Sequence, residues 1–354
     1  MAEESWRTPM LVQEMAKKVQ QPPSRYVQPE QYHPISLVDG TEPPESIPVI
    51  NLTRLSAADG ADEGIKLRLA LQSWGLFLVA NHEVETSLMD DLINMSREFF
   101  RQPLQEKEKC SNVIGGKHPQ VEGYGNDLVK FEDQTLDWCD RLHLRVEPED
   151  ERNFSLWPKH PTPFRYVLHE YTLNCKRIKD CILRAMAKTL ELDENYFVSH
   201  FTGKDPTFAR FNYYPPCPRP DLVFGIKPHS DAGVLTILLM DKDVGGLQIL
   251  RDGKWHNVPT SPHRLLINLG DYTEIMSNGI FKSPVHRAVA NAEKERISLA
   301  MFHGLHPEKE IEPAAILLHE KQPARYRKSK AKEYLAGYYE HFSRGTRFID
   351  SVKM

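Results

Sequence analysis

The 354-residue chain is 40% hydrophobic and 27% charged, an ordinary globular composition with enough length to bury a substantial core. Its 45 basic and 49 acidic residues leave a net charge of −4, so no basic excess points to nucleic acid or to an anionic membrane. No apolar run approaches the roughly 18 residues a membrane helix needs, and the opening MAEESWRTPM lacks the apolar stretch of a secretory signal.

In chain order, Thr8-Pro9 reads as an N-cap with proline in the first turn, followed by Leu11, Met15 and Val19 at helical spacing. Residues 20–46 are rich in proline and polar groups and read as an extended linker. Ile47–Leu52 is a first strand, Ile65–Trp74 a helix, Gly75–Val79 a second strand, and Leu88–Phe100 a helix closed by Pro103. Residues 107–160 are rich in turn formers and predict loops with short strands. From Phe164 to Leu190, Val167, Tyr171, Ile178, Ile182, Met186 and Leu190 form one apolar stripe, which predicts a long helix. Beyond Asp205-Pro206 the texture changes. Short apolar runs at 208–214, 234–240, 247–250, 265–269, 286–290 and 297–302 alternate with Gly, Pro and Asp turns, the pattern of a sandwich or barrel. Lys332–Tyr339 is helical again. The five cysteines, Cys110, Cys139, Cys175, Cys181 and Cys217, are odd in number and contain no C-x-x-C pair. They read as reduced thiols, which suits a cytoplasmic protein.

The chemistry concentrates in the strand-rich half. His229 and Asp231 form H-x-D in KPHSDAGVLTILLM, and His286 follows in SPVHRAV. Residues two apart on a strand share a face, so His229 and Asp231 are expected to point inward together. His286 is expected to do the same alongside the small Ala288 and Ala290. Two imidazoles and one carboxylate on one face leave positions open, the ligand set that suits iron(II) in an oxygenase. An H-x-D alone is weak evidence in a chain with 15 histidines, where it is more often a hydrogen-bonded surface pair. Arg296, Ser298, Ala300 and Phe302 then fall on one face of a strand and Ile297, Leu299 and Met301 on the other. An inward arginine is costly unless a carboxylate pairs with it, which an organic acid or an internal Asp or Glu would do. In Arg210–Pro218, Asn212 and Tyr214 share a face, and Tyr214 has a hydroxyl to offer the same carboxylate. His256, His263, His303 and His306 read mainly as surface or turn residues, and the basic stretch Arg325–Lys332 as a solvated face.

N-Y-Y-P, P-H-x-D, N-x-G-D (Asn268–Asp271), H-R and R-x-S, in this order, resemble the plant 2-oxoglutarate- and iron(II)-dependent dioxygenases, among them anthocyanidin synthase and flavonol synthase. The resemblance extends to Ile47–Leu52 and to Gly75–His82. It implies a mainly β fold with flanking helices: a double-stranded β-helix (jelly-roll) core at 205–305 and a mixed α/β N-terminal region at 45–160. It also implies iron(II) on His229, Asp231 and His286. Arg296 and Ser298, with Tyr214 and Asn212, would hold the distal carboxylate of 2-oxoglutarate. Dioxygen is the other co-substrate and ascorbate the reductant, in a monomeric, cytoplasmic enzyme acting on a small molecule. Phe302, Arg141, His143 and Arg210 match positions lining the organic-substrate pocket; Phe302 matches an aromatic and Arg210 a lysine of anthocyanidin synthase, while Arg141 and His143 stand in place of aromatics and imply a more polar pocket. Glu83 stands where the family has glycine, which implies a different turn. The opening Glu4–Pro9, the segment Leu136–Pro148 and Ile311–Ala315 resemble the cereal subgroup that inactivates triketone herbicides, the inhibitors of 4-hydroxyphenylpyruvate dioxygenase. The expected reaction is hydroxylation or desaturation of a flavonoid, a hormone-like compound or such a herbicide, with release of succinate and CO2. Two alternatives remain on the residues alone: a metal-dependent hydrolase or isomerase, and a non-catalytic small-molecule binding jelly roll.

Overall fold

The computed structural model describes residues 5–30, 46–115 and 119–354. Its strands, in chain order, are β1 (Val49–Asn51), β2 (Leu76–Ala80), β3 (Gly123–Gly125), β4 (Asp140–Glu147), β5 (Thr207–Tyr214), β6 (Phe224–His229), β7 (Leu235–Met240), β8 (Leu247–Arg251), β9 (Lys254–Asn257), β10 (Leu265–Leu269), β11 (His286–Val289) and β12 (Arg296–His303). An eight-stranded sheet in the order β1-β2-β10-β7-β12-β5-β4-β3 is accompanied by a four-stranded sheet in the order β6-β11-β8-β9. Only β1 and β2 pair in parallel; the other pairs of these two sheets are antiparallel. The protein is therefore mainly β, with a double-stranded β-helix core and flanking helices.

Side-chain alternation gives the large sheet its two faces. Phe77, Val79, Leu142, Leu144, Phe211, Ile237, Ile267, Ile297, Leu299 and Met301 point into the main apolar core. That core is closed by three helices, Ala61–Ser73, Thr86–Arg101 and Phe164–Thr189. The last buries Val167, Tyr171, Ile178, Ile182 and Met186, the stripe read from the sequence. The alternate residues on β4, β5, β7, β10 and β12 point the other way, into a cavity that Leu76 of β2 also borders, while Leu78 packs in a second apolar cluster. A helix at Ala331–Ser343 brings Leu335, Tyr338, Tyr339 and Phe342 to that cavity. Among the described residues, no helix is long and apolar enough to cross a membrane.

Several local expectations change. Thr8-Pro9 does not open a helix; the first α-helix is the single turn Val12–Ala16. Its free N–H groups are satisfied from far along the chain, Val12 and Gln13 donating to the two carboxylate oxygens of Asp140 at 2.8 and 2.7 Å. A distant carboxylate does here what a local cap normally does. The segment at 20–30 is packed rather than a free linker: Tyr26 is buried and meets Trp138 edge-on at 5.5 Å. The rest of that predicted linker, 31–45, lies outside the described residues. Within 107–160, β4 is eight residues long, because Leu142, Leu144 and Val146 alternate into the core. His256 and His303 are buried, His303 bonding the Thr207 hydroxyl at 3.3 Å through Nδ1. All five cysteines are free thiols, and four are buried. In the basic stretch, the exposed Lys328 and Lys332 and the half-buried Lys330 pair with Glu308, Glu310 and Glu312.

Candidate metal centre and substrate cavity

β6 and β11 pair with His286 directly opposite His229. Nδ1 of His229 donates to the carbonyl of Lys227 at 2.8 Å, and Nδ1 of His286 to that of Pro284 at 3.1 Å. A carbonyl can only accept, so both rings carry their proton on Nδ1 and turn the Nε2 lone pair inward. Those two Nε2 atoms lie 3.7 and 3.8 Å from Oδ1 of Asp231. One donor atom from each of the three residues falls within 4.8 Å of the others, a group able to hold a metal ion.

Asp231 is oriented by its neighbours. Its Oδ2 accepts from the Thr236 hydroxyl at 2.6 Å and the Asn268 amide at 2.7 Å, so Oδ1 is left for an ion. Its carbonyl accepts the Asp271 N–H at 2.7 Å. Gly270 makes that approach possible, since a Cβ there would stand 2.1 Å from the Gly233 carbonyl oxygen. N-x-G-D is thus a cradle for the aspartate of H-x-D. Burial favours neutral His229, and the facing His286 adds to that, so its pKa is held well below the ordinary imidazole value. Burial opposes the charge on Asp231, but the two imidazoles and the two hydrogen bonds outweigh it and keep the carboxyl below its usual range.

Strand parity is only part of the geometry. β6 ends at His229, and Asp231 lies in the segment after it, placed by Thr236 and Asn268 rather than by alternation. Ala288 borders the cavity, while Ala290 lies beyond β11 in another apolar cluster, because β11 slips register against β6 on both sides of Ala288.

Arg296 and Ser298 stand opposite Tyr214 and Asn212 across β12 and β5. The Arg296 guanidinium lies 5.0 Å from the Tyr214 ring centroid, and Gly225 leaves room for that ring, whose Cδ1 a Cβ would meet at 2.7 Å. Arg296 is 3% exposed, yet its Nε and Nη1 have no hydrogen-bond partner among the described residues. No carboxylate pairs with it there, which removes the internal ion pair. Asn212 donates to the Ser298 hydroxyl at 3.3 Å and accepts from Arg210 Nε at 2.7 Å.

The cavity has a volume of about 230 Å³ and is bordered by every residue expected at the site: His229, Asp231, His286, Arg296, Ser298, Tyr214, Asn212, Phe302, Arg141, His143 and Arg210. Three further residues were not legible in advance. Asp127 accepts two bonds from Arg210, both at 2.7 Å, and one from Arg141 Nε at 2.9 Å. Phe342 meets the His229 ring edge-on at 5.4 Å. Tyr338 donates to the carbonyl of Ser230, between the two H-x-D residues, at 2.9 Å. Asp127 sits in coil without periodicity, and the C-terminal helix reaches the site only through tertiary packing, so neither leaves a local signal. His143 stacks on Phe208 at 4.8 Å, and its Nδ1 has no hydrogen-bond partner among the described residues.

Two family models match the chain: the 2OG-Fe(II) oxygenase superfamily over residues 207–305, and the non-haem dioxygenase in morphine synthesis N-terminal region over 47–160. Protein SRG1 of Arabidopsis thaliana is 36% identical across 97% of this chain and 96% of its own length. Codeine O-demethylase of Papaver somniferum is 35% identical across 97% and 95%. The crystal structure of JOX2 with 2OG, Fe and JA superposes with a TM-score of 0.86 at 33% identity, covering 99% of this chain and all of that one.

Proposed function

The chain belongs to the 2OG-Fe(II) oxygenase superfamily, and on that premise we propose that His229, Asp231 and His286 hold its iron(II) while Arg296, Ser298 and Tyr214 hold the distal carboxylate of 2-oxoglutarate. The enzyme is a 2-oxoglutarate-dependent dioxygenase, which sets aside the non-catalytic binding module. The single observation that carries the assignment is the buried, unpaired Arg296 guanidinium beside an oriented two-histidine, one-carboxylate group. Both groups fit: among the described residues, Nε2, Nε2 and Oδ1 make no hydrogen bond, and Arg296 lacks the carboxylate its burial calls for.

When bound, iron(II) with 2-oxoglutarate supplies dioxygen activation, the keto acid leaving as succinate and CO2. The protein's own part is positioning. Lys227 and Pro284 carbonyls fix the imidazole tautomers, and Thr236 with Asn268 aims Asp231. The Tyr214 ring lies beside the Arg296 guanidinium and Ser298 is two residues along the same strand face, an arrangement that would restrict how a bidentate carboxylate sits. The apolar lining from Leu238, Leu247 and Phe302 excludes water around the reacting carbon.

The substrate is a small organic molecule, hydroxylated or desaturated. The likeness to codeine O-demethylase and to JOX2 with JA bound supports a small metabolite, and the resemblance of Leu136–Pro148 to the herbicide-inactivating cereal subgroup supports a triketone, alongside flavonoids and hormone-like compounds. The same reading makes the enzyme a cytoplasmic monomer with ascorbate as reductant, supported by its reduced thiols and the resemblance. A screen of these classes, scored by substrate-dependent succinate release with product masses, tests it. Succinate release that no member stimulates would overturn the substrate reading.

A further inference from the structure

The charges around the cavity do not balance, and we propose that the surplus makes its substrate half a receptor for an organic anion, a carboxylate or an equivalent delocalised oxyanion. The inference rests on the oxygenase reading, which fixes what occupies the metal end. There the Asp231 carboxylate offsets the Arg296 guanidinium, and a divalent ion offsets the 2-oxoglutarate dianion. On the wall formed by β4 and β5, Asp127 is the one carboxylate among the described residues that faces both Arg141 and Arg210, so two cations share one carboxylate and one positive charge is left over. Lys130 also borders the cavity, as does Arg287, whose guanidinium stacks on Trp255 and Phe224, whose Nε donates to Gln248 and whose Nη2 makes no hydrogen bond among the described residues.

The hydrogen bonds say which guanidinium is open. Arg210 spends Nη1 and Nη2 on Asp127 and Nε on Asn212. Arg141 spends Nε on Asp127 and Nη1 on the Gly123 carbonyl, and its Nη2 makes no hydrogen bond among the described residues. Arg141 is 2% exposed, so an anion reaching it is met out of bulk water, where a charge-assisted bond is strong. The rest of such a substrate would lie along Leu238, Leu247 and Phe302. In this arrangement Asp127 acts as the internal anion that holds the pair together, and it leaves the Arg141 Nη2 amino group for a ligand.

The test compares 2-naphthoate with 2-naphthamide, which share a shape and differ in charge. Binding is measured by equilibrium dialysis against protein loaded with manganese(II) and 2-oxoglutarate, so that Arg296 is already occupied. The naphthoate should bind about tenfold or more tightly than the amide. Arg141→Met should erase that preference, and Asp127→Asn, which removes the competing carboxylate, should widen it. Equal binding of the two probes by the parent protein, or a preference that Arg141→Met leaves intact, would overturn the proposal. The measurement needs no turnover. Succinate release by the parent protein and its loss in Asp231→Ala test the oxygenase reading separately, so either can fail alone.

Discussion

Arg296→Met separates a ligand-binding arginine from a structural one. In the parent protein the guanidinium is 3% exposed with Nε and Nη1 unpaired. Each unpaired buried N–H costs about 1–3 kcal/mol, against about 1 kcal/mol gained from its position over Tyr214. Methionine keeps most of the aliphatic packing and removes the unpaired donors. The ligand-free variant should therefore unfold in urea within about 1 kcal/mol of the parent, or above it. Binding tells the opposite story. Losing a buried bidentate charged pair costs about 2–5 kcal/mol, which is roughly a 30- to 4,000-fold higher 2-oxoglutarate requirement. Thermal unfolding with manganese(II) and increasing 2-oxoglutarate reads both effects, since a ligand stabilises only the state it binds. The parent should gain stability with 2-oxoglutarate and the variant should not. A ligand-free variant weakened by 3–5 kcal/mol that still responds normally to 2-oxoglutarate would make Arg296 a structural residue and refute the reasoning.

Three further outcomes follow from single contacts. Tyr338→Phe removes the bond to the Ser230 carbonyl and should weaken metal affinity about tenfold, as loss of an orienting partner does; dialysis against manganese(II) checks it, and unchanged affinity would make the helix contact incidental. Burial holds the His143 imidazole well below its ordinary pKa, so the unfolded chain binds that proton first as pH falls below 6.5. His143→Phe should accordingly lose less stability than the parent between pH 7 and 5, measured by urea unfolding at both values; parallel curves would show that this ring does not titrate differently in the two states. Glu83 holds φ at +61°, a left-handed conformation that glycine adopts freely. Its cost exceeds that of an exposed Glu83–Arg177 pair, so Glu83→Gly should raise stability by up to about 1 kcal/mol.

Glu83 also shows how sequence and structure differ. Its backbone is left-handed, as is that of Asn81 at +54° two residues before it, a conformation that a glutamate in the sequence does not announce. Alternation was the most legible signal: Arg296, Ser298, Ala300 and Phe302 border the cavity while Ile297, Leu299 and Met301 fill the core, because a pleated strand with one buried face has no other register. Parity was right in outcome but incomplete in cause for Asp231, which lies past the end of β6 and is aimed by side chains of β7 and β10. What sequence reading could not reach was tertiary. Asp140 caps a helix 128 residues away, Asp127 joins two strands from coil, and Phe342 arrives at His229 from the C-terminal helix. None of these contacts leaves a period or a local motif.

The most direct measurement is the iron(II) stoichiometry of the parent protein and of Asp231→Ala, determined by anaerobic dialysis, with succinate formation followed once air is admitted. The parent should hold one iron per chain and form succinate from 2-oxoglutarate, and the folded variant should do neither. A variant that keeps its iron and its succinate would show that His229, Asp231 and His286 are not the metal centre.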